Sequence, residues 1–301
     1  VTRTALVTGA AGAIGQQVVR ILTARGWRVL GLGHGDAAGL PLAGWIAGEI
    51  AASELDALAR DGRPDAILHL AGGSSVGPSL ADPARDHQRT VGSTQRLLDW
   101  MHAAAPDAAL VLASSAAVYG DAATVPISEL VAPNPLSPYG KHKLMMEDAA
   151  RSSGLRAVSL RLFSVYGPGM GKQLVWELCN RLGRGERALN LGGTGAETRD
   201  WLHIEDAAVL LVDAIDLARP GAPALNGCTG MGLSVRDTAR AILDGFGVQA
   251  SLNFSGETRP GDPAHLVGDP AQAAAQGLKA RVPAAAGLSA TARAIRGELK
   301  V

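Results

Sequence analysis

Short apolar runs alternate with longer amphipathic segments through the first half of the chain. Residues 5–8, 29–32, 66–70, 108–113 and 157–162 are predominantly apolar, as expected of strands buried on both faces. Residues 14–25, 53–61, 83–105 and 138–153 read as amphipathic helices. Strand, helix and strand repeated in this way predict an α/β fold, a Rossmann-type doubly wound parallel sheet. After residue 169 the alternation loosens. Helical patterns over 173–184, 205–218 and 235–246 are joined by Gly- and Pro-rich loops, and an Ala-rich tail from Pro270 is interrupted at Pro283. The expectation is a sheet domain over 1–167 and a smaller C-terminal α/β substrate domain over 168–301. Part of 194–218 is expected to return to the first domain.

Composition narrows the function classes. The 301 residues are 47% hydrophobic, which excludes disorder, and 28 Lys+Arg balance 28 Asp+Glu. A zero net charge without basic runs argues against nucleic acid or an anionic membrane as partner. No stretch is long enough to span a bilayer. Cys179 and Cys228 make neither a disulfide framework nor a CxxC pair,. The seven histidines form no HExxH or Cys/His cluster, so no metal is expected,. The N-terminal apolar run is broken by Gly9 and does not read as a secretory signal. A cytoplasmic protein is expected.

The first run opens into Gly9-Ala10-Ala11-Gly12-Ala13-Ile14-Gly15 and then a helix. Gly9 permits a tight turn, Gly12 lets backbone approach a pyrophosphate, and Gly15 lets the helix pack on the strand. The first helical residues, Ala13 and Ile14, then present free N–H groups to the phosphates. This predicts a dinucleotide site. At the end of the second strand an NAD-binding chain usually has an acid for the ribose hydroxyls. Here Gly33 stands there, followed by His34. Without a carboxylate to repel a 2′-phosphate, NADP is favoured, with NAD the alternative.

Tyr139 and Lys143 are spaced i,i+4 at the start of a predicted helix and so share one face,. An ammonium near a phenol favours the phenolate, which suits Tyr139 to proton exchange. By itself the Tyr-x-x-x-Lys pattern is common, and its weight comes from following the fourth strand of a glycine-loop fold. Ser114 and Ser115 lie where that strand ends, at the edge where open α/β sheets bind ligands.

In this order along the chain, His69-Leu70-Ala71-Gly72, residues 114–120, residues 139–143, residues 160–169 and residues 199–206 resemble extended short-chain dehydrogenases/reductases of the NAD-dependent epimerase/dehydratase family. The resemblance implies Ser115 as the catalytic hydroxyl, with Ser114 the fallback, Tyr139 as acid/base and Lys143 as its assistant and a cofactor ligand. It places Glu49 and Ile50 at the adenine, and Leu70, Ala71 and Gly72 along the cofactor. The implied substrate is a nucleotide-diphosphate sugar, with Arg199 and Arg259 on the diphosphate and Ser74, Ser75 and Ser164 bordering it. The alternative makes both arginines salt-bridge partners of Asp200 and Asp262. Three departures stand out: Ser164 and Thr90 where Asn is usual, and Glu49 where Asp is usual.

Within the family the dehydratases add an Asp-Glu pair directly after the hydroxyl residue. Ala116 and Ala117 occupy those positions and supply no acid or base. Reduction of a 4-keto sugar is the leading expectation because of Gly33. A 4-epimerase with retained NAD is the alternative, and a non-catalytic Rossmann-fold binding protein the third reading. Glu129, Glu147 and Asp148 are expected at the surface and His69 in a structural role. A homodimer is expected through residues 83–105 and 138–153, where Leu97, Leu98, Met101, Leu144, Met145 and Met146 exceed the need of one face.

Overall fold

The computed structural model describes residues 2–257 and 263–300. The sheet begins with β1 (Thr4–Thr8), α1 (Ala13–Ala24), β2 (Arg28–Gly33), β3 (Gly44–Ala47), α2 (Ala52–Leu58) and β4 (Ala66–His69). It continues through α3 (Val76–Ala81), α4 (Pro83–His87), α5 (Ser93–Ala104), β5 (Ala109–Ser115), α6 (Pro138–Ser152) and β6 (Ala157–Leu162). After β7 (Ser164–Tyr166), α7 (Gln173–Gly183), β8 (Ala188–Leu191), β9 (Thr198–His203) and α8 (Ile204–Asp213), the chain returns to the sheet as β10 (Ala224–Gly227). The seven strands run β10-β6-β5-β4-β1-β2-β3, and every pairing is parallel. Strand order reverses at β1, so the carboxyl ends of β1 and β4 open a crevice between them.

Each apolar run serves two cores because successive strand residues point to opposite faces. Ala5, Val7, Ala109 and Val111 pack with α1 and α8 on one side. Leu6, Leu110 and Leu112 pack with Leu55 of α2, Leu97 and Met101 of α5, and Met146 of α6 on the other. The predicted helix over 83–105 is divided: five residues, Gln88–Gly92, form a π-helical turn between α4 and α5. There the Ser93 hydroxyl donates to the Arg89 carbonyl and Thr94 Oγ1 donates to the Thr90 carbonyl. Side-chain bonds of this kind compete with the backbone ladder, and π-turns concentrate at functional sites.

The second half holds short strands that the alternation did not announce. β9 pairs with β7, with β11 (Gly232–Ser234) and with β13 (His265–Leu266), while β8 pairs with β12 (Ser251–Phe254). Helices α7, α9 (Val235–Phe246) and α10 (Ala284–Leu299), the last beginning just after Pro283, close a third core around Leu178, Leu189, Trp201, Ile242 and Leu288. This lobe faces the carboxyl ends of the large sheet across a cleft. Among the described residues no helix is long and apolar enough to cross a membrane. Cys179 and Cys228 are both buried free thiols.

Three surface expectations need correction. Glu147 is fully buried and is forked by Arg161, with Nη2–Oε2 2.7 Å and Nε–Oε1 3.0 Å. Its place on α6, one turn after Lys143, turns it toward β6 instead of solvent. Glu129 is half-buried, and its carboxylate accepts from the Asn226 backbone N–H at 2.8 Å. Of the six apolar residues assigned to a dimer face, Leu97, Leu98, Met101 and Met146 are already spent in the core. Met145 is exposed and Leu144 half-buried.

Candidate active site

The glycine loop is built by close backbone approach. Gly9 has φ +72°, and its N–H donates to the Leu32 carbonyl at 2.7 Å. A Cβ at Gly9 would stand 2.9 Å from Ala71 N, and one at Gly15 only 2.2 Å from the Gly9 carbonyl oxygen. Gly12 caps α1 without any side-chain bond, and no acid occupies the first turn. The N–H groups at Ala13 and Ile14 therefore open a cradle whose shape and polarity fit the pyrophosphate of a dinucleotide. Leu70, Ala71 and Gly72 follow β4 against this loop: Leu70 N–H donates to the Thr8 carbonyl at 3.1 Å and Ala71 N–H to Thr8 Oγ1 at 3.3 Å. Thr90 Oγ1 accepts from Gly73 N–H at 2.8 Å, so this departure keeps a hydrogen bond in the same wall.

His69 holds the loop from behind. Its ring lies between Thr8 Oγ1 (2.8 Å) and Thr94 Oγ1 (3.0 Å). The Thr94 hydroxyl gives its proton to the Thr90 carbonyl, so Nε2 must donate to Thr94. Burial pushes the ring's pKa down to about 3, which keeps it neutral and leaves Nδ1 to accept from Thr8. Its role is structural.

At the far end of the cradle, Gly33 ends β2 and His34 follows it as expected, but a carboxylate lies nearby. Glu49 Oε1 lies 3.1 Å from His34 Nε2, both side chains being exposed. Next to it Ile50 is buried, and its carbonyl accepts from Arg96 Nε at 2.7 Å. Glu49 thus brings a carboxylate to the strand end where Gly33 supplies none.

The proton-handling residues meet where β5 ends and α6 begins. Ser137 caps α6, its Oγ accepting from Gly140 N–H at 3.2 Å, and Pro138 occupies the first turn, where a missing N–H costs nothing,. A Cβ at Gly140 would meet the Ala117 carbonyl oxygen at 2.4 Å; glycine here lets the helix reach the strand end. Tyr139 is thereby set close to Ser115, and both line the same cleft. Lys143 Nζ donates to the Ala113 carbonyl at 2.8 Å. Burial pushes the Tyr139 hydroxyl up, opposed by the nearby Ser115 hydroxyl, and the Asp86 charge adds to the rise. Burial also pushes the Lys143 ammonium down, to about 8, against Asp86 and Glu147, which raise it. Ser114 gives its hydroxyl proton to Glu147 at 2.5 Å, leaving Ser115 as the hydroxyl beside Tyr139.

These groups open on a cleft of about 640 Å³ that Ser74, Ser75, Ser164 and Arg199 also line. Arg199 Nη1 donates to the Thr198 carbonyl at 2.8 Å. Asp200, considered as its mate, is buried with its carboxylate accepting from the N–H groups of Thr229 and Gly230 and from the Thr229 hydroxyl. Arg259 and Asp262 lie outside the described residues. Ala116 and Ala117 line the cleft, so a dehydratase's Asp-Glu pair is absent there. Sequence reasoning missed Lys172, Gln173 (φ +71°), Glu177 and Glu197 in the opposite wall. The run of glycines before Lys172 gave only a turn signal. Among the described residues no three His, Cys, Asp or Glu side chains gather as a metal site.

Comparison with known proteins gives the family of the chain. The model of the NAD dependent epimerase/dehydratase family matches residues 5–225. A UDP-glucose 4-epimerase of Azospirillum brasilense is 35% identical over 292 residues, covering 87% of this chain and 82% of that protein. Among solved structures, MoeE5 in complex with UDP-glucuronic acid and NAD is similar, with TM-score 0.86 and 31% identity over 98% of this chain and 99% of that one. The UDP-glucose 4-epimerase of Thermotoga maritima, solved with UDP-glucose, gives TM-score 0.89 and 27% identity over 98% and 99%.

Proposed function

Since this chain belongs to the NAD-dependent epimerase/dehydratase family, we propose that it is a 4-epimerase of a nucleotide-diphosphate sugar, using NAD. The observation that carries the proposal is that Tyr139, Ser115 and buried Lys143 line one cleft, with Lys143 fixed on the Ala113 carbonyl and Arg199 in the same cleft. The relatives' identity as UDP-glucose 4-epimerases supports a UDP-hexose as the substrate class.

Gly9, Gly12, Ala13, Ile14 and Gly15 would hold the cofactor's pyrophosphate, with Gly33, His34, Glu49 and Ile50 at the adenosine end and Leu70, Ala71 and Gly72 toward the nicotinamide. When bound, NAD supplies hydride acceptance and return at the sugar carbon. Tyr139 Oη takes the proton of the sugar hydroxyl and gives it back. The Ser115 hydroxyl orients that same sugar oxygen by hydrogen bonding. Lys143 favours the Tyr139 phenolate by its charge. Arg199 offers a planar fork to a diphosphate oxygen, with Ser74, Ser75 and Ser164 as neighbouring donors. Arg259 is assigned to the same diphosphate on the family resemblance.

Reduction of a 4-keto sugar is the second reading, favoured by Gly33. One experiment separates the two. Purified protein is incubated with UDP-glucose or UDP-galactose without added cofactor, and the sugars are followed by NMR. Interconversion toward one common mixture from either side is the expected result. Failure to interconvert either sugar, together with NADPH consumption on a 4-keto nucleotide sugar, would favour the reductase.

A further inference from the structure

A second pair of titratable side chains lies directly behind Tyr139 and Lys143. Asp86, in α4, is buried, and its Oδ2 is 2.6 Å from Nδ1 of buried His142. His142 stands between Tyr139 and Lys143 in α6, on the flank packed against α4 and the π-turn. The other carboxylate oxygen faces the cleft wall: a Cβ on Gly73 would lie 2.0 Å from Asp86 Oδ1. Gly73 itself lines the cleft with Tyr139 and Lys143. A carboxylate is costly to bury without partners, and in a poorly hydrated interior its field reaches neighbours that water would otherwise screen.

We propose that Asp86, fixed by His142, is a positioning residue that sets the ionisation of the Tyr139–Lys143 couple and keeps Lys143 an ammonium. The inference rests on the acid/base role given to Tyr139 above. Asp86 bears on both members, raising the Tyr139 hydroxyl and the Lys143 ammonium alike. The other groups around the couple are accounted for. His87 meets His142 edge-on at 5.2 Å, and Arg89 of the π-turn acts on Lys172. Lys172, from the second lobe, lowers Lys143, and Glu147 raises it. Ser115 lowers Tyr139, while His69 is neutral. Removing the Asp86 charge should therefore move the whole couple to lower pH, both limbs in the same direction.

Tyrosinate absorbance tests this without any substrate, because the chain has three tyrosines and burial pushes Tyr119 and Tyr166 upward. Subtracting the Tyr139→Phe titration isolates Tyr139. In Asp86→Asn, which still offers His142 a hydrogen bond, the Tyr139 midpoint should fall by about 0.5–1 pH unit, as for loss of one nearby like charge. Asp86→Glu should restore it. Both limbs of the kcat/KM profile should move down with it. A Tyr139 midpoint unmoved in Asp86→Asn would overturn the proposal; Asp86→Thr is the second neutral variant should the first not fold. A wild type inactive on these sugar nucleotides, with the Tyr139 midpoint still lowered in Asp86→Asn, would count against the epimerase reading and for this one.

Discussion

The Lys143 ammonium lies 5.9 Å from the centre of the Tyr139 ring, held by its bond to the Ala113 carbonyl. That separation puts a positive charge beside a phenol without a direct contact, and an ammonium so placed favours the phenolate. Tyr139→Phe should fold normally and lose at least about 10²-fold in turnover, the lower range for a general acid/base. Since burial brings Lys143 to about 8, kcat/KM of the wild type should fall above that pH as the ammonium loses its proton. Lys143→Arg stays charged throughout and should lose this basic limb while turning over more slowly. Steady-state rates between pH 6 and 10 check both statements. A basic limb retained in Lys143→Arg would assign it to another group.

The cradle and the Tyr139–Lys143 pair were legible because each is a local spacing: glycines at 9, 12 and 15, and one helical turn from 139 to 143. What escaped was decided by distant partners. Glu147 reads as a solvated helix charge until Arg161, on the following strand, is brought against it. β8 finds its partner β12 more than sixty residues on, so no hairpin signal marks either strand. Asp86 and His142 are ordinary polar residues in the sequence, and only the packing of α4 on α6 makes them a buried pair. The same holds for His34 and Glu49, whose contact depends on β3 pairing with β2. β3 itself was missed, being four residues long after a stretch rich in Gly and Pro.

Breaking the Glu147–Arg161 pair from one side should be costly. Both side chains are almost fully buried, and the guanidinium also lies 4.8 Å over the Tyr119 ring. Glu147→Ala leaves that charge without its carboxylate, a loss of about 3–5 kcal/mol. Replacing both members by methionine should cost much less, because no buried charge is left over. Urea denaturation of the two variants makes the comparison. Equal destabilisation by the single and double changes would show the pair contributes through packing alone.

His69 should impose a pH dependence on stability. Its folded pKa is about 3 against an ordinary 6.5. Between those values the unfolded chain binds a proton that the folded chain does not, so stability is full above pH 6.5 and is lost as pH falls toward 3. The slope from this one group is about 1.4 kcal/mol per pH unit. His69→Gln removes the titration. The stability advantage of wild type over the variant should therefore shrink from pH 7 to pH 4 in urea titrations. An advantage constant over that range would mean that His69 is protonated in the folded protein.

Glu49 should decide the cofactor. In doubly wound folds the adenosine ribose sits beyond the end of the second strand, where His34 and Glu49 meet at 3.1 Å. A carboxylate there repels a 2′-phosphate and accepts from ribose hydroxyls, so cofactor-free protein should bind NAD at least about tenfold more tightly than NADP, roughly 1.4 kcal/mol. Glu49→Gln keeps the size and removes the charge, and should narrow or reverse the preference, since His34 is then released toward the phosphate. Gly33→Asp is a poorer probe: its Cβ would come within 3.3 Å of Gly9 Cα, so it should weaken both cofactors by disturbing the cradle. Fluorescence titrations of wild type and Glu49→Gln with the two reduced cofactors measure the difference. A wild type that prefers the phosphorylated cofactor would mean Glu49 turns away from the ribose in solution, and the reductase reading would regain the ground that Gly33 alone gave it.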